Sequence, residues 1–116
     1  MGAEHERVLS LGDVLSPVHP GEVLLEEFMK PLGLKAPTAA KAMGVPRTRI
    51  ERLVAGAGSV TPDTALRLSR AFGGSAQFWL NLQNQYDLAV AREAAGTALD
   101  AIPRLNPSRL DRTLPT

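Results

Sequence analysis

Residues 37–55 read PTAAKAMGVPRTRIERLVA, and this stretch decides the fold. It contains two short amphipathic segments that Gly44 separates, and each segment opens with a proline, which suits the first turn of a helix. Ala40 stands four residues before Gly44, which lets two helices approach closely at a turn where glycine tolerates positive φ. The pattern predicts helices over residues 37–43 and 46–55 joined as a helix-turn-helix unit. The apolar positions that set their crossing are Ala39, Met43, Val45, Ile50 and Leu53.

Three further helices are predicted around this unit. The first opens at residues 19–22, HPGE, and is expected to stop before Pro31, because a residue that precedes proline leaves the helical region. The fourth follows Thr61 as its capping residue and runs over residues 62–72. The fifth follows Ser75 and extends to about residue 92, with the alanine-rich stretch to residue 95 left open.

The domain organisation that follows is a single compact all-α bundle of five helices. We expect an N-terminal arm over residues 1–18, a helix-turn-helix domain over residues 19–95 and a C-terminal tail over residues 96–116. Three prolines in the tail argue against regular structure there. No stretch alternates with a period of two, so no strand is predicted.

The composition excludes several classes of protein. The chain has 116 residues and no cysteine, which leaves out disulfide scaffolds, thiolate metal sites and cysteine nucleophiles. His5 and His19 are the only histidines, so we predict no metal and no cofactor, and we interpret His19 as a residue that orders the start of the first helix. Glu26 and Glu27 point about 100° apart on a helix and cannot flank one bond, so no enzyme is expected. Without an apolar run of about 20 residues, the chain is expected to be soluble and cytoplasmic.

The charges are segregated along the chain. Residues 1–34 carry six acidic and two basic side chains, whereas residues 35–73 carry seven basic and two acidic ones. Such a distribution suits a protein that presents different faces to nucleic acid and to a basic protein.

The outward positions of the third helix form the candidate DNA-reading surface. A guanidinium group can contact guanine through two hydrogen bonds, and a threonine can contact a phosphate or a thymine methyl group. We therefore assign Arg47, Thr48 and Arg52 to base edges and Arg49 and Glu51 to secondary or orienting contacts. Contacts to the DNA backbone are assigned to Lys35, Thr38 and Lys41. The alternative is that these side chains form an ordinary solvated helix face.

The fifth helix carries an aromatic stripe formed by Phe78, Trp79, Leu82 and Tyr86. We expect Phe78 and Leu82 to lie in the core. Trp79 and Tyr86 are assigned to a dimer interface, because large aromatic side chains with a polar tip are favoured there.

Several blocks of the sequence resemble the HigA antitoxins, which belong to the helix-turn-helix group named after the phage Cro and repressor proteins. The similarity covers residues 18–92 and rests on HPGEVL at 19–24, the turn at 40–45, TPDTALRL at 61–68 and FWLNLQ at 78–83 with YDL at 86–88. The resemblance implies a dimeric repressor that binds a palindromic operator in its own operon and neutralises a HigB-type toxin, an mRNA-cleaving nuclease.

With a toxin as partner, the acidic face of the first helix, together with the N-terminal arm, is the candidate toxin-binding surface through Glu22, Glu26 and Glu27. The alternative is an ordinary solvated helix amino terminus. Some positions depart from the family pattern. Members commonly carry Ser-Gln where this chain has Lys35-Ala36, and basic loop residues where it has Ala57-Gly58, so we expect phosphate contacts to be lost at both places. Two alternatives stay open: a stand-alone repressor without a toxin, and an interaction module whose helix-turn-helix no longer binds DNA.

Overall fold

The computed structural model describes residues 17–105, and within this range the chain forms five helices and no strand. Helix α1 is continuous but changes pitch, being α-helical over Pro20–Val23, π-helical over Leu24–Met29 and α-helical again over Lys30–Leu32. The others are α2 (Ala36–Met43), α3 (Arg47–Val54), α4 (Pro62–Phe72) and α5 (Ala76–Ala95). The predicted all-α five-helix fold is confirmed.

The helix starts use the side chains that the sequence indicates. Thr61 Oγ1 accepts a hydrogen bond from the Thr64 N–H at 3.3 Å, and Ser75 Oγ accepts one from the Phe78 N–H at 3.1 Å. At α1 the cap is His19, whose Nδ1 accepts from the Gly21 N–H at 2.9 Å. Each bond satisfies a backbone donor that the first turn of a helix leaves without an intrahelical partner.

The turn between α2 and α3 depends on Gly44, whose φ of 70° lies in the left-handed region. The Val45 N–H donates to the Ala40 carbonyl at 3.0 Å and the Gly44 N–H donates to the Lys41 carbonyl at 3.2 Å. This pair of bonds closes α2 by satisfying two of its last carbonyls. Ala40 is buried at the crossing, as its small size predicts.

The expectation that α1 stops before Pro31 is wrong, because the helix continues to Leu32 and ends at Gly33. The preceding π turn explains the difference. There the Lys30 N–H donates to the Leu25 carbonyl, five residues back instead of four. In a regular α-helix the ring of Pro31 would clash with the backbone carbonyl four residues before it. The wider π turn lies just before Pro31.

All five helices contribute to the core, whose buried side chains include Leu24, Met43, Ile50, Leu68 and Trp79, one from each helix. Trp79 is 0% exposed. Its ring lies 5.4 Å from that of Phe28 on α1. Phe78 is instead 42% exposed and stands edge-on to Trp79 at 5.2 Å. The assignments of Phe78 to the core and of Trp79 to a dimer interface are therefore both corrected: the inward line of α5 runs through Trp79 and the buried Gln83, one position further along than the aromatic stripe suggests. Leu82 is partly buried against the core.

The start of the tail also differs from expectation. A 3₁₀ turn covers Gly96–Ala101, and the chain becomes irregular only after it, ahead of the first tail proline. The predicted arm lies almost wholly outside the described residues, as does the tail from residue 106 onward. Among residues 17–105, no helix is long and apolar enough to cross a membrane.

Helix α1 abuts the end of α3 at Gly21. A Cβ atom built on Gly21 would lie 1.7 Å from the Leu53 carbonyl oxygen and 2.5 Å from its carbon. Both atoms belong to the backbone, so no side-chain rotation could make room. Gly21 therefore sets the distance between α1 and the carboxyl end of α3.

We expect Gly21→Ala to lower the free energy of unfolding by about 2–4 kcal/mol, because the added methyl group must displace backbone. Thermal and urea unfolding measure the loss. Gly58→Ala is the matched control, since a Cβ there meets its nearest neighbours at an ordinary 3.4–3.6 Å. An equal effect of the two substitutions would contradict the close approach.

Candidate nucleic-acid interface

Helix α3 has one buried side and one open side. Ile50 and Leu53 are buried, at 0% and 1% exposure, and anchor the helix in the core. The predicted reading residues lie on the open side, and all of them are exposed: Arg47, Thr48, Arg49, Glu51 and Arg52. The predicted backbone contacts around α2 are exposed as well, namely Lys35, Thr38 and Lys41. The part of the surface assigned to DNA is therefore open to solvent.

Arg47 and Glu51 form an ion pair along α3, with Arg47 Nε 3.2 Å from Glu51 Oε2. The two side chains are 63% and 48% exposed. An exposed pair at this helical spacing contributes only about 0.3–0.5 kcal/mol. Arg47 can therefore exchange its partner for a base or a phosphate at little energetic loss.

Arg49 is held differently, because its partner lies on another helix. Its Nη1 donates to Asp63 Oδ2 at 2.8 Å, and Asp63 also accepts from Arg67 Nε at 3.1 Å. Arg67 in turn donates through Nη1 to the Met43 carbonyl at 2.8 Å. We call Arg49, Asp63, Arg67 and this carbonyl the Asp63 network. It joins the first turn of α3, the start of α4 and the end of α2.

The carboxylate at the centre of the network is stabilised in its charged form. Hydrogen bonds from Arg49 and then from Arg67 lower the pKa of Asp63 below its ordinary value of 3.8, and the charges of the two guanidinium groups act in the same direction. Asp63 is therefore a carboxylate throughout the neutral range.

The loop after α3 is fastened by three side chains from three helices or their caps. His19 Nε2 donates to the Gly58 carbonyl at 2.8 Å, which fits the tautomer whose Nδ1 caps α1. The Val60 N–H donates to Gln83 Oε1 at 2.7 Å. Arg52 Nη2 donates to the Ala57 carbonyl at 3.2 Å. The end of α3 is thus fixed to both α1 and α5.

Gln83 is a buried polar side chain with both ends of its amide engaged. While Oε1 accepts from Val60, Nε2 donates to Asp87 Oδ1 at 3.0 Å. Beside it, the ring of Tyr86 packs edge-on against the ring of His19, with the ring centres 4.8 Å apart. Tyr86 is partly exposed. The block that follows Trp79 therefore holds the loop rather than forming a continuous apolar stripe.

The acidic side chains assigned to a protein partner are exposed on α1. Glu22 and Glu27 are open to solvent, and Glu26 pairs with Lys30 at 2.8 Å, one turn along the helix. These acidic residues lie on α1, whereas the basic residues discussed above lie on α3. The two kinds of charge that are separated along the sequence therefore lie on different helices.

Sequence reasoning missed Asp63 as a partner of Arg49, and it missed Arg67 and Gln83 entirely. The four-residue spacing of Asp63 and Arg67 on one helix was a readable signal for their pairing. No sequence signal indicates that Arg67 reaches the carbonyl of Met43, 24 residues away, or that Gln83 satisfies Val60, 23 residues away.

The lowered pKa of Asp63 predicts how stability changes with pH. The contribution of its ion pairs is complete above the ordinary aspartate pKa and is lost as the pH falls through the lowered value of the folded state. We expect the stability difference between the native chain and Asp63→Asn to shrink on acidification between about pH 6 and pH 2. Urea unfolding at several pH values measures it, with Asp100→Asn as control. A difference that stays constant with pH would contradict the network.

Comparison with known proteins agrees with this geometry. A helix-turn-helix family model matches residues 25–79, from the middle of α1 to the buried tryptophan of α5. Virulence-associated protein I of Dichelobacter nodosus is 53% identical over 76 residues, which cover 66% of this chain and 70% of that protein. Antitoxin HigA-1 of Vibrio cholerae is 42% identical over 72 residues, which cover 62% of this chain and 68% of that protein.

A solved structure of the Pseudomonas aeruginosa antitoxin HigA with the higBA promoter superimposes with a TM-score of 0.75. It is 37% identical to this chain and covers 78% of it and 99% of its own length. The similarity spans the helix-turn-helix unit and the helices that hold it. The chain belongs to the HigA family of Cro/repressor-type helix-turn-helix antitoxins.

Proposed function

We propose that this chain is a DNA-binding antitoxin that represses its own operon and neutralises a HigB-type toxin, and that it acts by binding rather than by catalysis. The observation that carries the proposal is the open side of α3, whose basic side chains face solvent while Ile50 and Leu53 hold the helix in the core. Two relatives support it: one is named antitoxin HigA-1, and the other is solved with its promoter DNA.

The first turn of α3 is the proposed centre of sequence recognition. In helix-turn-helix proteins the amino-terminal part of the second helix contacts base edges in the major groove. Arg47 and Thr48 occupy that turn, and Arg52 lies further along the open side. Arg52 bonds the Ala57 carbonyl of the following loop, whereas Arg47 pairs with Glu51 on its own helix. Glu51 would pass from pairing with Arg47 to orienting it against a base.

The proposed backbone contacts lie around α2. Lys35 precedes the helix, while Thr38 and Lys41 are exposed along it. Lysine contacts to phosphate add affinity and salt dependence but carry no sequence information. These residues would therefore orient α3 over the groove.

A second copy of the chain is proposed as part of the working unit, because the half-sites of a palindromic operator lie about 34 Å apart and one reading helix covers one of them. Tyr86, partly exposed on α5, is the proposed aromatic contact. Exposed apolar side chains on α5 and the segment after it support an interface there: Leu88, Val90, Leu99, Ile102 and Leu105.

We expect Arg47→Ala to weaken binding to the DNA upstream of the chain's own gene by about 5- to 150-fold, because a lost bidentate contact to guanine is worth about 1–3 kcal/mol. Fluorescence anisotropy on this duplex and on a scrambled duplex, across a salt series, measures the change. Arg70→Ala removes the same charge from the exposed last turn of α4 and should leave the sequence preference intact. Retained preference in Arg47→Ala would reject the assignment.

The acidic side of α1 is the proposed toxin contact. We expect the charge reversal Glu26→Lys with Glu27→Lys to abolish co-purification with the product of the neighbouring small basic reading frame, and to abolish rescue of growth. The control is Glu93→Lys with Asp100→Lys, an equal reversal on α5 and the turn after it. Unchanged co-purification would move the toxin contact elsewhere. If the native chain itself fails to co-purify or rescue growth, the stand-alone repressor is the better description.

A further inference from the structure

The three arginines of α3 differ in how freely they can reach DNA. The partner of Arg47 is on the same helix, so the pair moves with α3 and is easily exchanged. Arg52 is bonded to a single loop carbonyl. Arg49 alone pairs with a carboxylate on a different helix, and that carboxylate is held by a second guanidinium group.

Arg49 and Asp63 are 40% and 56% exposed, so burial does not hold this pair. What distinguishes it from the Arg47–Glu51 pair is a network of several charges, in which Arg67 ties Asp63 to the turn. Arg67 Nη1 donates to the Met43 carbonyl at 2.8 Å and contacts the Gly44 carbonyl at 3.3 Å. Since these carbonyls belong to the turn of the helix-turn-helix, Asp63 cannot follow Arg49 toward DNA without disturbing the turn. For Arg49 to reach a phosphate, it must leave Asp63, whose carboxylate would then keep only Arg67 as a partner.

We propose that Asp63 is a specificity-determining residue, which withholds the Arg49 guanidinium from DNA phosphates and so suppresses sequence-independent binding. The inference rests on the proposed DNA-reading function of α3. Arg49 is then a positioning residue for the first turn of α3, where Arg47 and Thr48 read the bases, instead of a DNA contact itself.

The physical basis is the different composition of the two kinds of complex. Binding to random DNA consists almost wholly of phosphate contacts, each of which adds about 0.9 to the slope of log affinity against log salt. Binding to an operator adds base contacts, which carry the discrimination. A guanidinium group that stays paired with a carboxylate adds no phosphate contact to the first, and the carboxylate disfavours a phosphate that approaches Arg49. Withholding one cation therefore weakens random binding proportionally more than operator binding.

The decisive variant is Asp63→Asn, measured on the upstream duplex and on a scrambled duplex of equal length over a salt series. We expect affinity for the scrambled duplex to rise about 3- to 10-fold at low salt and the salt slope to steepen by about 0.9. Affinity for the upstream duplex should rise less, so that the ratio of the two affinities falls. Asp63→Glu, which keeps a carboxylate, should restore much of the ratio.

Two further variants separate release of Arg49 from other effects. Adding Arg49→Gln to Asp63→Asn should return the salt slope to its native value, because the released cation is gone. Glu93→Gln removes one negative charge from α5 and should leave the ratio unchanged. The proposal is overturned if the double variant keeps the higher affinity for the scrambled duplex, or if Glu93→Gln shows the same rise. Asp63 would then act only through its contribution to the net charge of the protein.

A last comparison does not require Asp63→Asn to fold. Arg49→Gln alone should leave the salt slope on scrambled DNA unchanged, whereas Lys41→Gln, at a proposed phosphate contact, should reduce it by about 0.9. An equal reduction by both overturns the proposal. So does an Asp63→Asn chain that folds and shows equal losses on both duplexes or no change on either. Failure of the proposed function has a different signature: the native chain would show no preference for its upstream DNA.

Discussion

The orientation of helix α3 depends on contacts with the other helices, and the arrangement of the rest of the structure provides those contacts. It has only eight residues, and a helix of that length is unstable in isolation. Two buried side chains, Ile50 and Leu53, attach it to the core. These two side chains set which side of the helix faces the core, and contacts at its two ends hold its tilt.

The amino-terminal end is held by charge and the carboxyl-terminal end by backbone contact. At the amino-terminal end, Asp63 links Arg49 of α3 to Arg67, which donates hydrogen bonds to the carbonyls of the turn. At the carboxyl-terminal end, Gly21 lets α1 press on the Leu53 carbonyl, while His19 and Gln83 fasten the following loop. A reading helix fixed in this way loses little conformational entropy when it enters DNA, which favours affinity and discrimination together.

This arrangement explains why the HPGE and TPDTALRL blocks accompany the helix-turn-helix. Each supplies a cap for its own helix and a second contact to the reading helix or its loop. His19 caps α1 and also bonds Gly58. In the second block Thr61 caps α4, and Asp63 in the first turn of that helix pairs with Arg49. The loop at Ala57-Gly58 lacks basic residues, but its carbonyls are the points where Arg52 and His19 attach. In this chain the loop therefore serves as an attachment point for side chains of the protein itself.

The part of the fold that sequence predicted is the part that local chemistry determines. The proline starts of α1, α2 and α4, the caps at Thr61 and Ser75 and the turn at Gly44 each depend on a few neighbouring residues, and all are present. Pro46 differs from the prediction, because it precedes α3 as an extended capping residue and the helix begins at Arg47. The continuation of α1 past Pro31 was not predictable in this way, because the π turn that permits it has no simple sequence signature. The inward line of α5 was misplaced because a buried glutamine looks like a surface residue until its partner, Val60, is known. The same holds for the candidate site. Helical periodicity indicated which arginines face outward, but only the tertiary structure shows which of them already pairs with a carboxylate on another helix.

A crystal structure of the chain bound to its upstream DNA tests the central claim most directly, through the distance between Arg49 Nη1 and the Asp63 carboxylate. We expect this distance to remain close to 2.8 Å, as in the free protein, with Arg47 and Thr48 at base edges in the major groove. A complex in which Arg49 has left Asp63 for a phosphate, or in which α3 lies outside the groove, would contradict the account.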